Sequence, residues 1–373
     1  MIQAILLGVV LVQGQLPRDS VRSRLYVQAE LTWYGTGDQQ SLNNRHVRLE
    51  AIRRLGFGGT RLPVEWSRIE RVRGQPDWRR LDSTVAELVK DNLAFYGVIA
   101  YSPPWAVPDS LRGKPRSEAH RPVVNGSSSK GDAAFAAFAA AAARRYRGHI
   151  NRWEIWNEEN YPPFWIHVVD GVNQGVDPED YADLYRAARD SIMGANPDAQ
   201  VSIGGLASVN GVARPISDPL NPKRDLIPLT PDQFLRGLKR ANLRPAVVAI
   251  HPYSTVAPDV RVASLGTTVF PGLVVDSVLE TLRALGWSDS PVWVTEWGVN
   301  VTPGMSQADV TSWLVRGLRY LLCTPNVQLV TLHALTDDNQ VEHFGLLKAN
   351  GESSMVGDAL LSALKSWEGC ERR

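Results

Sequence analysis

The sequence predicts an α/β fold, a single-domain (β/α)8 TIM barrel, on three observations. Short apolar runs alternate eight times with longer amphipathic or alanine-rich runs along the 373 residues. The apolar runs are nearly continuous, as expected for parallel strands buried on both faces. No low-complexity linker divides the chain, and α/β barrels of this length fold as one domain. A doubly wound open sheet is the structural alternative, but no GxGxxG turn supports a nucleotide crevice.

Eight strands are read at 24–30, 57–62, 94–100, 152–157, 200–205, 246–251, 291–296 and 327–333. Each is short and rich in β-branched and aromatic residues. Eight helices fall between and after them, at 42–54, 78–92, 131–147, 178–195, 231–241, 273–286, 306–322 and 354–367. The run "DAAFAAFAAAAARRY" is the clearest, because alanine is the best helix former. Asp132, "DPED" before Tyr181 and Thr230-Pro231 read as helix starts. The connections at 101–130, 158–177, 206–229 and 252–272 are long. In a barrel all four gather at the carboxyl-terminal face, where active sites are built.

Forty basic against thirty-nine acidic residues leave a net charge of +1. That balance favours neither nucleic acid nor an anionic membrane surface as a partner. Residues 1–20 carry an apolar run, Ala4 to Val12, too short to cross a bilayer and suited to a signal-peptide core. Export is therefore expected, with residues 21–373 forming the barrel. A plain N-terminal strand, or a start site placed too late, is the alternative, since no basic residue precedes the run, and a cytoplasmic location stays open. Cys323 and Cys370 either pair with each other in an exported protein or are two unrelated thiols. No CxxC, HExxH or EF-hand pattern occurs, so no metal or cofactor is expected.

Two segments place a carboxylate at the end of an apolar strand. "WEIWNEEN" ends strand four with Glu158, and "PVWVTEWGVN" ends strand seven with Glu296. In a parallel barrel both side chains enter one mouth. Taken singly, each is a solvated or ion-paired surface acid. Taken together, they suit glycosidic bond cleavage, with one carboxyl giving a proton and the other ionised as nucleophile or base.

These segments resemble the retaining glycoside hydrolases of clan A, nearest to family 39, the β-xylosidase-like group, with family 5 second. The resemblance spans nearly the whole chain. It implies Glu158 as acid/base, with Asn157 before it donating to a sugar hydroxyl, and Glu296 as nucleophile. "RLPVEWSRIE" is similar to the strand-two segment and implies Arg61 as support for the nucleophile. "IHPYS" looks like strand six, with Tyr253 bonded to Glu296 and His251 lining the pocket. "AYSPPWA" puts Trp105 at the rim. Trp33, Trp165 and Trp297 are further candidates to stack on sugar faces. The resemblance implies an oligo- or polysaccharide substrate cleaved with retention. It has departures: Glu159 replaces the usual proline after the acid/base, and His333 stands where strand eight normally offers a tryptophan platform. A carbohydrate-binding barrel without catalysis and a metal-dependent barrel hydrolase are the other function classes.

Overall fold

The computed structural model describes residues 21–32, 38–114, 116–209, 215–253, 271–337, 343–348, 351–367 and 369–370. The expected signal segment and Trp33 lie outside them. Eight parallel strands build the barrel: β1 (Leu25–Gln28), β2 (Gly59–Glu65), β3 (Ala94–Ala100), β4 (Arg152–Ile155), β5 (Gln200–Ile203), β6 (Val248–His251), β7 (Val292–Trp297) and β8 (Val327–Leu332). Each lies within three residues of its predicted bounds. The helices are α1 (Asp38–Leu55), α2 (Arg79–Lys90), α3 (Ser128–Arg145), α4 (Pro178–Ala195), α5 (Pro231–Arg240), α6 (Pro271–Ala284), α7 (Gln307–Cys323) and α8 (Met355–Lys365).

The sheet runs β5-β4-β3-β2-β1-β8-β7-β6 and then reaches Leu206–Ala207, which begins three residues beyond the end of β5. A further parallel bridge joins Ser202 in β5 to Val247 before β6. The same stretch of chain therefore forms both ends of the sheet, which closes it into a barrel. The open-sheet alternative is excluded. Closure also removes the unpaired edges that an open sheet must protect.

Strand alternation sorts the side chains into two cores. Tyr26, Tyr96, Val98, Val247, Ala249, Trp293 and Leu329 fill the barrel interior. The opposite strand faces meet the helices in a larger cluster that includes Leu25, Val27, Trp153, Ile155, Ile250 and Val294. Inside the barrel the Tyr96 hydroxyl shares a hydrogen bond with Thr331 Oγ1 at 2.8 Å, so the buried phenol keeps a polar partner.

The helix starts follow capping chemistry. Thr230 and Gln233 form a reciprocal capping box on α5, and Ser306 with Asp309 forms another on α7. The Asp177 side chain caps α4 through the Glu179 N–H. Asp132 is not the start of α3. Ser127 caps that helix, and Asp132 is buried one turn inside it, both oxygens 3.0 Å from Arg121 Nη2. The long connections carry small hairpins that periodicity did not show, Val168–Val169 with Val172–Asn173 and Ile216–Asp218 with Asn221–Leu226.

Cys323 and Cys370 are joined, with Cα atoms 5.4 Å apart and a separation of 47 positions in sequence. The bond ties the end of α7 to the segment after α8. Loop-closure entropy for a ring of this size is worth about 4 kcal/mol. Cys370→Ser is therefore expected to lower the thermal midpoint by several degrees, and the loss should match that of wild type in a reductant. Scanning calorimetry with and without dithiothreitol measures both.

Candidate active site

Strands β2, β4, β6 and β7 deliver charged side chains to one centre, Arg61 from within β2 and the others from at or near the strands' carboxyl-terminal ends. Arg61 on β2 is the hub. Its Nη2 donates to Glu154 Oε1 at 2.6 Å and to Asn157 Oδ1 at 2.8 Å, while its Nη1 bonds Glu296 Oε1. Gln28 Oε1, at the end of β1, lies 3.4 Å from the same Nη1. Arg61 and Glu154 are both buried, so neither charge is tolerable without the other.

Two local distortions aim the acids. β4 ends in a kink where Trp156 (φ 77°) and Glu158 (φ 52°) are both left-handed. Such backbone is costly for a bulky side chain and persists where the surroundings impose it. In β7, Val294 and Trp297 pair with Val330 and Leu332 of β8, so β7 has one residue more than its partner. This bulge turns Glu296 into the barrel mouth. It sends Trp297 to the helix side, where the ring is fully buried in the outer core beside Val294.

His251, at the end of β6, stands between the two acids. Its Nδ1 is 2.9 Å from Glu158 Oε1 and 3.7 Å from Glu296 Oε2. One donor atom each from Glu158, His251 and Glu296 all lie within 4.8 Å of one another. The Tyr253 hydroxyl donates to Glu296 Oε2 at 3.1 Å. The acids thus differ in support. Burial alone would push Glu296 up, but the positive charges of His251 and Arg61, with His333 and the Tyr253 hydroxyl, hold it down to about 2. Burial would lower His251, yet its two carboxylate neighbours raise it above the usual imidazole value. Burial, then the carboxylates of Glu296 and Glu158, keep Tyr253 a phenol.

Seven of the nine residues expected at the site meet here: Glu158, Glu296, Arg61, Asn157, His251, Tyr253 and His333. His333 Nδ1 shares Gln28 Oε1 at 3.1 Å. Its ring stands edge-on to Tyr253 and to Phe344, 6.2 and 5.6 Å between centroids. Trp297 does not join them, and with no open ring face it cannot be a stacking platform. Trp165 is likewise fully buried, against Trp156 and Tyr181. Trp105 is half-buried on the loop after β3. Its indole N–H donates to Glu70 O at 2.7 Å, and its ring packs edge-on to Trp66. Among the described residues no contact links it to either acid.

Sequence reasoning missed Gln28, Phe344 and the degree of burial of Glu159. Gln28 was accessible: it shares the inward parity of Tyr26 and lies in register with Arg61.

No family model matches the sequence, and no curated protein is significantly similar to it. Solved structures match the fold. One is a family 39 glycoside hydrolase from the gut symbiont Bacteroides cellulosilyticus WH2, at TM-score 0.70 and 20% identity, over 94% of this chain and 65% of that one. A monomeric β-xylosidase from Caulobacter crescentus CB15 matches at TM-score 0.66 and 17% identity, over 95% of this chain and 70% of that one. Xylanase 10B from Thermotoga petrophila RKU-1 matches at TM-score 0.58 and 14% identity, over 93% and 95%. The chain thus spans about two thirds of the first two neighbours. At these identities the likeness shows the fold, a (β/α)8 barrel. The second resemblance, to family 5, gains no support from these neighbours.

Proposed function

We propose that this chain is a retaining β-glycosidase, with Glu296 as nucleophile and Glu158 as acid/base. The observation that carries the reading is the asymmetry of the pair. Four groups, His251, Arg61, His333 and the Tyr253 hydroxyl, stabilise the ionised form of Glu296, whereas among the described residues only His251 bonds Glu158. A carboxylate held ionised is suited to attack, and its less restrained partner to give and take a proton. One oxygen of each acid lies within 4.8 Å of the other, a close approach in keeping with the ~5–5.5 Å between carboxyl groups of retaining pairs.

In the first step Glu158 protonates the glycosidic oxygen as its bond to the anomeric carbon breaks. A Glu296 oxygen bonds that carbon, giving a glycosyl ester. In the second, Glu158 takes a proton from water, the water oxygen bonds the anomeric carbon, and the Glu296 ester bond breaks. Two displacements restore the starting anomeric configuration. Asn157, its oxygen held by Arg61, keeps its amide N–H for a sugar hydroxyl. The neighbours named as β-xylosidases and xylanases make a xyloside the first substrate to try, and an oligo- or polysaccharide the natural one. The Cys323–Cys370 bond supports an oxidising, extracytoplasmic compartment.

Glu158, His251 and Glu296 also form a donor set of the kind that holds a divalent ion. The Arg61 guanidinium against Glu296 and the proton favoured on His251 oppose a dication there by like-charge repulsion. Aryl β-glycosides of xylose, glucose, mannose, galactose and arabinose test the reading. We expect turnover of at least one, product retaining the β configuration by NMR, and no loss after EDTA dialysis. Inverted product, or activity restored only by a metal, would overturn it. Binding of a sugar with no turnover of any would point to the barrel without catalysis.

A further inference from the structure

Glu159 follows the proposed acid/base and takes no part in the displacement, yet it is fully buried. Its carboxyl occupies the space that a side chain on residue 204 would need: a β-carbon there would lie 2.0 Å from Glu159 Oε2. Three donors surround it, its own N–H, the Tyr181 hydroxyl and the Gly204 N–H, but none reaches either oxygen in good hydrogen-bond geometry. Two of the three are already committed. The Tyr181 hydroxyl donates to Ile155 O at 2.7 Å, and Gly204 N–H donates to the Tyr181 oxygen at 3.1 Å. That phenol oxygen has one lone pair left. A protonated carboxyl can donate to it, and an ionised one cannot.

The facing groups agree. Glu154 on β4 presents a carboxylate, Tyr181 and Tyr185 on α4 present phenols, and Gly204 directly follows β5. Arg61, which holds Glu154, is engaged by Glu154, Asn157 and Glu296 on the mouth side, and Arg189 lies over the far Tyr185 ring, 5.9 Å from its centroid. Burial without a cation, then the charge of Glu154, pushes the carboxyl well above its usual range.

We infer that Glu159 is a positioning residue that carries a proton at neutral pH and, through Tyr181 and Gly204, braces the ends of β4 and β5 so that Glu158 faces His251 and Glu296. The brace acts where the backbone is strained. Glu158 N–H donates to Gly205 O at 3.1 Å, directly beyond Gly204, and Trp156 and Glu158 are the left-handed residues of this corner. If Glu159 ionised, Tyr181 would turn its proton from Ile155 O to the carboxylate and leave a buried carbonyl unpaired. The claim for Glu158 rests on the glycosidase reading. The claim for the Glu159 proton does not.

The test uses the whole protein with Glu159→Gln, which keeps shape and neutrality, and Glu159→Ala. A group protonated when folded and ionised when unfolded destabilises the fold progressively as pH rises above the unfolded value. Wild type should therefore fall behind Glu159→Gln in melting temperature as pH goes from 5 to 8, by on the order of 5 °C. Parallel curves would overturn the neutral carboxyl. With a dinitrophenyl glycoside, whose leaving group needs no acid, Glu159→Gln should hold kcat to higher pH than wild type. Glu159→Ala should lose about tenfold or more in kcat, and in an NMR titration its His251 should shift toward the usual imidazole value as Glu158 moves away. An unshifted His251 with unchanged kcat would overturn the positioning role. If no glycoside is turned over, the glycosidase reading fails, while the melting and His251 titrations still decide this one.

Discussion

Replacing Glu296 by alanine removes turnover by roughly four orders of magnitude or more, because no other group forms the covalent intermediate. Sugar binding, measured by calorimetry with a non-hydrolysed thioglycoside, persists. Replacing Glu158 by alanine acts differently. Substrates with poor leaving groups lose rate as severely, whereas activated aryl glycosides lose little in the first step and stall in the second. Sodium azide separates the two positions. With Glu158→Ala, azide attacks the glycosyl ester and releases a β-glycosyl azide. With Glu296→Ala, it attacks the substrate directly and releases the α-anomer. The opposite assignment of anomers would exchange the roles of the two acids.

Arg61→Met is expected to be the most damaging change that leaves both acids in place. It strands Glu154, which is 0% exposed, as a buried charge without its cation. Breaking such a pair costs about 3–5 kcal/mol. Arg61→Lys rescues little, because one ammonium cannot serve Glu154, Asn157 and Glu296 together. Catalysis changes in a defined direction. Glu296 is held below its ordinary value of 4.5 in part by Arg61. A carboxyl whose folded value is depressed contributes stability that is full above its ordinary value and lost as pH falls toward the folded value. In wild type that window runs from 4.5 down to about 2. In Arg61→Met it narrows, and the acid limb of kcat/KM moves up by about one to two pH units. Urea denaturation and pH–rate profiles on the same preparation measure both effects. An unmoved acid limb would show that Arg61 does not tune the nucleophile.

The barrel was legible because the strands are short, nearly continuous apolar runs and several helices, α3, α4, α5, α7 and α8, open on a capping residue. Asp132 shows where that reading fails. An aspartate before an alanine run looks like a cap, but its partner Arg121 lies across the loop and only the fold brings them together. Trp297 fails for another reason. Neighbouring strand residues face opposite ways, so an inward Glu296 already required an outward tryptophan. Proximity in sequence to the acid was mistaken for proximity in the pocket. The β7 bulge that sets this parity leaves no mark in composition. Arg61, Glu154 and Gln28 meet through register between strands, which spacing along the chain does not encode. The surroundings of Glu159 depend on α4 and β5, so its burial was not readable from "WNEEN".

Gly204 and Gly205 are adjacent, and each faces a different part of the machinery. The first is filled by Glu159, and the second lies under His251, where a β-carbon would come 2.0 Å from Nε2 and 2.6 Å from Thr295 Oγ1. One methyl group on either residue therefore reaches the catalytic corner without touching a catalytic acid. For a lineage drifting by single codon changes, this dipeptide is a bottleneck.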